Sequence, residues 1–569
     1  MRIVAACVLA GLVLAAAQCW ISRCDPNEID LVSYLDVADA YAAGHWSAAI
    51  NGTWSPLYSW ILAAGRAIAR PTPAEEYPFV QVCNFLLFAL ALVAFEFFRR
   101  QLASWRSRQF PDALVPAHRP VSEWTDVVLA YVPFLWIALG VIGAGTASPD
   151  LLATACILWA TGLLVRIMAG RRESLAFFGF GAALGLGFFS HSFVISLVPV
   201  FLAAALFSSP VRRALPRVAL AAVGFVLLAG PFIAALSYER GHFTYSDAGW
   251  FNYAIHVNGV TYRHWQGDPP GHGTPLHPTR VIVADPETLE FGTPLSGTYP
   301  PWYDPAYWYE GVRLRFDPVQ QVRAILRNAG AFSKMFDGTG VILLTIFTIL
   351  LAGNSLPGSA GRALLRLWPV WAPAAAGLGM FVLVHMEPRY AGALLAGIFP
   401  ASWGALNPRD SDRGLQLRRV AAVLAMAATL PLFGTVTRDF VEEVADASAA
   451  SRNTAWAIAN EMRQAGVQPG ESIASVTYAQ SYIARWARLA RVRIVAEVNY
   501  STHTPENYFW RQPADVKRRV LAALAATGAE VAVSDETPQG DGNDGWQAVG
   551  RTGYWIYRLA SPAAATPRP

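Results

Sequence analysis

Four short stretches place ionisable side chains beside apolar runs, where polar chemistry at a membrane surface could take place. The first is "DPNEIDLVSYLDVADAYAAGHW", residues 25–46. Apolar Leu31, Tyr34, Leu35, Ala38 and Tyr41 recur at helical spacing, which predicts a helix beginning at Asp30. Such a helix would lie along the membrane surface with its apolar face down and Asp36 and Asp39 toward water. Two roles are open to Asp30: an N-cap accepting hydrogen bonds from the backbone, or a carboxylate at the mouth of a membrane cavity that takes a proton from a hydroxyl. The second and third stretches, "WSPLYSW" at Ser55–Pro56 and "SPDLL" at Ser148–Pro149–Asp150, both read as helix starts with proline just inside. The fourth, "HMEPRY", holds His385, Glu387, Arg389 and Tyr390 at the end of an apolar run. A cation at that depth either snorkels to water or meets an anion. His191, in the turn "SHSF", is either a hydrogen-bonded structural histidine or a ligand.

A longer polar segment adds aromatic chemistry. "WFNYAIHVNGVTYRHWQGDPPGHGTPLHPTR" and "GTYPPWYDPAYWYEG" contain His264, Trp265, Trp302 and Tyr303. Flat Trp and Tyr faces suit sugar rings, and equally suit the bilayer interface. The segment reads as a lid or acceptor-facing cap. The spacing of His264, His272 and His277 fits no strong metal motif, so a divalent metal remains open with no clear site.

The elements that must position these residues are membrane spans. Crossing a bilayer takes about 20 apolar residues. About eleven stretches qualify: 3–20, 78–98, 126–143, 149–166, 174–189, 193–208, 218–237, 339–353, 368–386, 391–405 and 420–436. Arginines sort the connections into two sets. One set holds Arg99, Arg100, Arg106, Arg108 and Arg119, then Arg166, Arg171 and Arg172, then Arg212, Arg213 and Arg217. It continues with Arg362 and Arg366, then Arg409, Arg413, Arg418 and Arg419. In the other set, 144–148 and 190–192 carry no Lys or Arg, and 387–390 carries only Arg389. Short cytoplasmic loops collect positive charge, so the N-terminus is expected inside and the C-terminal segment outside. A cleaved signal peptide over the first run is the alternative for that run alone, and it leaves the downstream orientation unchanged.

Composition agrees. Of 569 residues, 54% are hydrophobic and 15% charged, against about 25% charged in a soluble protein. Mean hydropathy is +0.32. The aromatic content excludes disorder, collagen and coiled coil. A net charge of +4, scattered in short bursts, argues against a nucleic-acid partner. Cys7, Cys19, Cys24, Cys83 and Cys156 form no CxxC or Cys/His pattern and read as small packed residues. The expected organisation is a transmembrane module, 1–436, with external loops 21–77 and 238–338, and a soluble tail, 437–569. In the tail, "TAWAIANEMRQAG" predicts a helix ending at Gly466, followed by a strand "SIASV". "RVRIVAEV" and "EVAVSD" predict strands flanking the helix "ADVKRRVLAALAATG", and "GWQAVGRTGYWIYRL" predicts a hairpin. That alternation makes a small α/β domain without a GxGxxG or P-loop.

In combination, "YLDVADAYAAGHW", "WSPLYSW", "SPD" and "EPRY", with their order and shared side, resemble the membrane-embedded C-type (GT-C) glycosyltransferases. The likeness is to bacterial relatives of protein O-mannosyltransferases and of lipid A aminoarabinose transferases, and it covers roughly residues 1–436. It implies a polytopic α-helical fold in the cytoplasmic membrane and transfer of a sugar, with inversion, from a polyprenyl-phosphate carrier to an extracytoplasmic acceptor. By position, the resemblance makes Asp30 the base and Arg389, with His385 beside it, the ligand of the departing phosphate. Asp150, Tyr34 and His191 would support them. The mannosyltransferases carry adjacent Asp and Glu in this loop; here Ile29 separates Glu28 from Asp30, leaving the base open between them, with Asp36 third. Metal use varies across the fold. Two other classes compete: a transporter or flippase of lipid-linked sugars, which would favour internal repeats and mid-span polar residues, and a non-catalytic envelope scaffold. No repeat is visible, and the polar residues gather in external loops.

Overall fold

The computed structural model describes residues 2–25, 29–109, 123–260, 279–292, 295–305, 307, 311–336, 338–352, 357–406, 412–445, 454–477, 482–499, 508–541 and 544–559. The protein is a polytopic α-helical membrane protein with a C-terminal α/β domain. Each of the eleven expected runs overlaps a helix, and the run 420–436 falls on two, Asp412–Ala428 and Leu430–Ala445. Among the described residues six helices are long and apolar enough to cross a membrane, including Arg2–Ile21, Asp150–Met168 and Val211–Arg240; Ser174–Ser190, Val194–Leu206 and Trp368–Leu383 are shorter apolar helices. The helix Glu76–Gln109 runs along Asp150–Met168, with Gly162 admitting the Phe97 ring where a Cβ would come within 2.7 Å of it. Arg2–Ile21 packs against Glu76–Gln109 and Leu430–Ala445. Cys19 and Cys83 are buried among these helices, and Cys19 Sγ lies 3.4 Å from the Ala144 carbonyl oxygen.

The C-terminal tail carries the predicted elements. The helix Thr454–Gln464 stops before Gly466, whose φ of 94° only glycine adopts readily. Strands β3 (Ser472–Ser475), β4 (Arg493–Val498) and β5 (Val531–Ser534) are parallel, and β6 (Trp546–Ala548) pairs antiparallel with β7 (Trp555–Arg558) as the expected hairpin. The sheet extends further than the tail. A hairpin from the large loop 238–338, β1 (Thr279–Ala284) and β2 (Glu287–Phe291), joins its edge, giving the order β1-β2-β4-β3-β5-β7-β6. The five strands of the tail would leave unpaired backbone groups along the β4 edge, and the loop hairpin covers them.

The first polar loop, 21–77, departs from expectation in one respect. The helix Asp30–Ala42 does form, but Asp36 does not face water: the residue is 8% exposed. Its carboxylate accepts hydrogen bonds from Thr298 N at 2.7 Å and Thr298 Oγ1 at 3.0 Å, and pairs with Arg488 Nη1 at 2.6 Å. The face carrying Asp36 is covered by the large loop and by the C-terminal domain instead of being open to water. Asp39 remains partly exposed, paired with Arg66 and Arg488.

Candidate active site

Asp30 is the first helical residue of its helix, preceded by Ile29 in helical geometry. The N-cap alternative therefore does not describe its side chain. Its Oδ1 accepts the Trp302 indole N–H at 3.3 Å and its Oδ2 faces Arg389 Nη2 at 3.4 Å. Ser55 occupies the cap position of the helix Pro56–Ala69 with Pro56 just inside, as predicted, but its hydroxyl makes no capping bond.

Arg389 is positioned by Pro388 at the start of the helix Pro388–Ala405, where the fixed proline φ suits the first turn. Its Nε lies 3.7 Å from Asp150 Oδ2 and 3.8 Å from Glu387 Oε1. Asp150 opens the helix Asp150–Met168 and accepts the Ser148 hydroxyl at 2.7 Å, so the "SPD" stretch supplies a carboxylate already oriented by its neighbour. One guanidinium thus sits among three carboxylates at 3.4–3.8 Å. Burial pushes the Asp30 carboxyl up from its ordinary value; Arg389 and the Trp302 N–H oppose this, and Asp150 adds to it. Burial likewise raises Glu387.

The surrounding residues form two aromatic walls. Tyr34, one turn after Asp30, meets Trp54 and Tyr58 edge-on, each at 5.1 Å between centroids. Trp302 is fixed through its carbonyl, which accepts the Ser33 hydroxyl at 3.2 Å and the Trp54 indole N–H at 3.1 Å. Tyr303 is buried and donates its hydroxyl to the Ala48 carbonyl, a structural role in this arrangement. On the other side, His191 lies edge-on to Tyr390 at 4.8 Å. Burial holds the His191 imidazole neutral, down to about 3, and Arg389 adds to this. Its Nδ1 has no hydrogen-bond partner among the described residues, so the hydrogen-bonded reading of this histidine does not hold at that atom.

His385 lies 3.8 Å from Glu387 and stacks face to face on His256, 3.7 Å between centroids and 5° between planes. His256 ends the helix Ala248–His256 and was not singled out by the sequence; burial, His385 and Arg327 hold it down to about 4. Asp36 is not brought to this cluster and belongs to the Arg488 network. Glu28, His264 and Trp265 lie outside the described residues. Among the described residues no group of three or more His, Cys, Asp or Glu side chains could hold a metal ion.

The sequence missed the Trp302–Asp30 hydrogen bond. Its only signal was the proline-flanked "YPPWYDP", a stiff turn able to hold an indole in place. No protein-family profile matches the chain, and no curated protein matches it in sequence. Among solved structures it is similar to ArnT from Cupriavidus metallidurans bound to undecaprenyl phosphate, with a TM-score of 0.54 at 12% identity over 99% of each chain. It is also similar to the Archaeoglobus fulgidus oligosaccharyltransferase in complex with Zn and sulfate, with a TM-score of 0.50 at 11% identity, covering 93% of this chain and 68% of that one. The ArnT match runs over almost the whole chain, the C-terminal domain included, and the chain has the fold of the membrane-embedded C-type glycosyltransferases.

Proposed function

We propose that the protein transfers a sugar from a polyprenyl-phosphate donor to a hydroxyl of an extracytoplasmic lipid, polysaccharide or protein, with inversion at the anomeric carbon. The observation that carries this reading is the meeting of Asp30 and Arg389 at the mouth of the helix bundle, 3.4 Å apart. A polyprenyl phosphate cannot leave the bilayer, so its head group must be met at the interface. There a guanidinium compensates the phosphate charge in low dielectric. The undecaprenyl phosphate bound by ArnT, a protein of the same fold, supports a carrier of this class.

In the proposed reaction Arg389 turns from the carboxylates to the donor phosphate. Asp30, relieved of its cation and still held by the Trp302 N–H, takes the proton of the acceptor hydroxyl. The acceptor oxygen bonds to the anomeric carbon as the bond from that carbon to the phosphate oxygen breaks, and the electron pair leaves on the polyprenyl phosphate. A phosphate departs as a stable anion, so no second acid is needed, unlike the carboxyl pair of a hydrolase. Asp150 and Glu387 keep Arg389 within reach of the donor, and His385 borders the phosphate side. The aromatic walls around Trp302 and Tyr34 suit the sugar and acceptor.

The test is purified protein in nanodiscs with radiolabelled polyprenyl-phosphate sugars. Label transfer is expected in the wild type, and Asp30→Asn, which keeps the size but removes the charge, should lower kcat by about 10²–10⁴. Because burial raises Asp30, kcat should climb with pH on an acid limb displaced upward from that of an ordinary carboxylate. Near-normal transfer by Asp30→Asn with loss in Glu28→Gln would move the base to Glu28. Translocation across vesicles without transfer would favour a flippase.

A further inference from the structure

The C-terminal domain meets the first external loop through a buried ion cluster that the reaction above does not use. Its centre is Arg488, on the helix Tyr482–Ala490, with a side chain 4% exposed. Arg488 donates from Nε and Nη2 to the two oxygens of Glu76, at 3.1 and 2.9 Å, and from Nη1 to Asp36 at 2.6 Å. Glu76 also pairs with Arg491 at 3.2 Å and Arg66 at 3.3 Å. With Asp39, three carboxylates are balanced by three guanidiniums. Although burial opposes its charge, these arginines hold Glu76 down to about 2. One turn earlier on the same helix, Arg485 pairs with Asp25 at 3.1 Å and its carbonyl accepts the Tyr77 hydroxyl at 2.8 Å.

Asp25 and Asp36 bracket Asp30 in the chain. The domain therefore grips the base-bearing segment on both sides. It reaches the same place by a second route: Ile494 N of β4 donates to the Thr298 carbonyl at 3.0 Å, Thr298 donates twice to Asp36, and four residues on, Trp302 donates to Asp30. Buried ion clusters add little net stability, because desolvation offsets the attraction; they specify which surfaces meet and in what register. A cluster that is poor as glue and strict in geometry suits positioning.

We propose that Arg488, with Arg485, is a positioning residue for the transfer reaction: the C-terminal domain clamps the 25–36 segment and sets the Asp30 carboxylate against Arg389 and Trp302. This rests on the reading of Asp30 as the base. It assigns the domain a part in turnover, beyond any part in acceptor binding. A base displaced by about 1 Å can cost on the order of 10²-fold in rate, so loss of the clamp appears in kcat and spares donor affinity.

The experiment is a double-mutant cycle on the full-length protein in nanodiscs. Arg488→Met should lower kcat by about 10- to 100-fold with donor KM within about threefold of wild type. Arg488→Lys should recover part of the loss. In the Asp30→Asn background the same Arg488→Met change should cost less than about threefold, because a clamp has nothing left to position. Arg488→Met leaves buried carboxylates unpaired and can fail to fold. The triple variant D36N/E76Q/R488M removes the buried charges together and serves as the second arm, with the same expected fall in kcat. If Asp30→Asn abolishes transfer while Arg488→Met and the triple variant keep wild-type kcat, the clamp is overturned and the base stands. Losses that multiply across the cycle also overturn it, since Arg488 then acts independently of Asp30. Near-normal transfer by Asp30→Asn removes the base, and the clamp with it.

Discussion

At the scale of single residues, Arg389 separates a phosphate ligand from an anchor. If it only snorkels, lysine serves as well, since both keep a charge on a long stem. If it grips a phosphate through paired N–H donors, lysine keeps the attraction and loses the fork, and alanine loses both. Arg389→Lys is therefore expected to weaken donor use by about tenfold with unchanged thermal denaturation, and Arg389→Ala by about 10²-fold or more. Initial rates against donor concentration measure this. Equal rates in wild type and Arg389→Ala would leave Arg389 as structure. The sequence located this residue because the short loops of its side hold no other basic residue. It located Asp150 by the same sorting of sides. The contacts among them were not legible, because they join residues 30, 150, 302 and 389, and no local pattern encodes a distance between helix ends.

At the scale of elements, what was legible followed periodicity and what was missed followed partners. The apolar runs and the strands of the tail have local signatures, and both appear where expected. The Asp30–Ala42 helix also appears, but its charged face was assigned to water because Arg488, which covers it, lies some 450 residues further along the chain. The β1–β2 hairpin was missed for the same reason: its short strands gain stability only by joining β4. Helix pairing in the bundle depends on small residues. Gly181 and Gly185, four apart on the helix Ser174–Ser190, let it approach Val211–Arg240 so closely that a Cβ on Gly181 would stand 1.7 Å from the Ala221 carbonyl oxygen. Gly181→Ala must push the helices apart and is expected to cost about 1–3 kcal/mol, seen as a lower Tm in detergent. Gly179→Ala, whose Cβ meets nothing within 4 Å, is the control and should leave Tm unchanged. A Tm for Gly181→Ala equal to that of the control would mean the two helices do not pack at this distance.

At the scale of the whole molecule, one question decides whether the parts work together: which side of the membrane they face. The structure ties the parts to a common side. Asp30, Asp150, His191 and Arg389 lie at helix ends that meet, and the C-terminal domain touches the same end through Asp25, Asp36 and Glu76. The arginine-rich connections, such as Arg166–Arg172 and Arg362–Arg366, belong to the opposite ends of the same helices. The side is thus a single binary choice for the whole assembly, and the positive-inside rule predicts arginines in the cytoplasm, with site and domain outside. A reporter active only outside the cytoplasm, fused after Asp439, is expected to be active, and one fused after Arg171 inactive. The two fusions must give opposite answers, because the helices between them hold these ends apart. A cytoplasmic signal at Asp439 with an external one at Arg171 would turn the entire assembly over. Asp30 and Arg389 would then face cytoplasmic acceptors, and the extracytoplasmic half of the proposed reaction would fall while the geometry of the site stayed as it is.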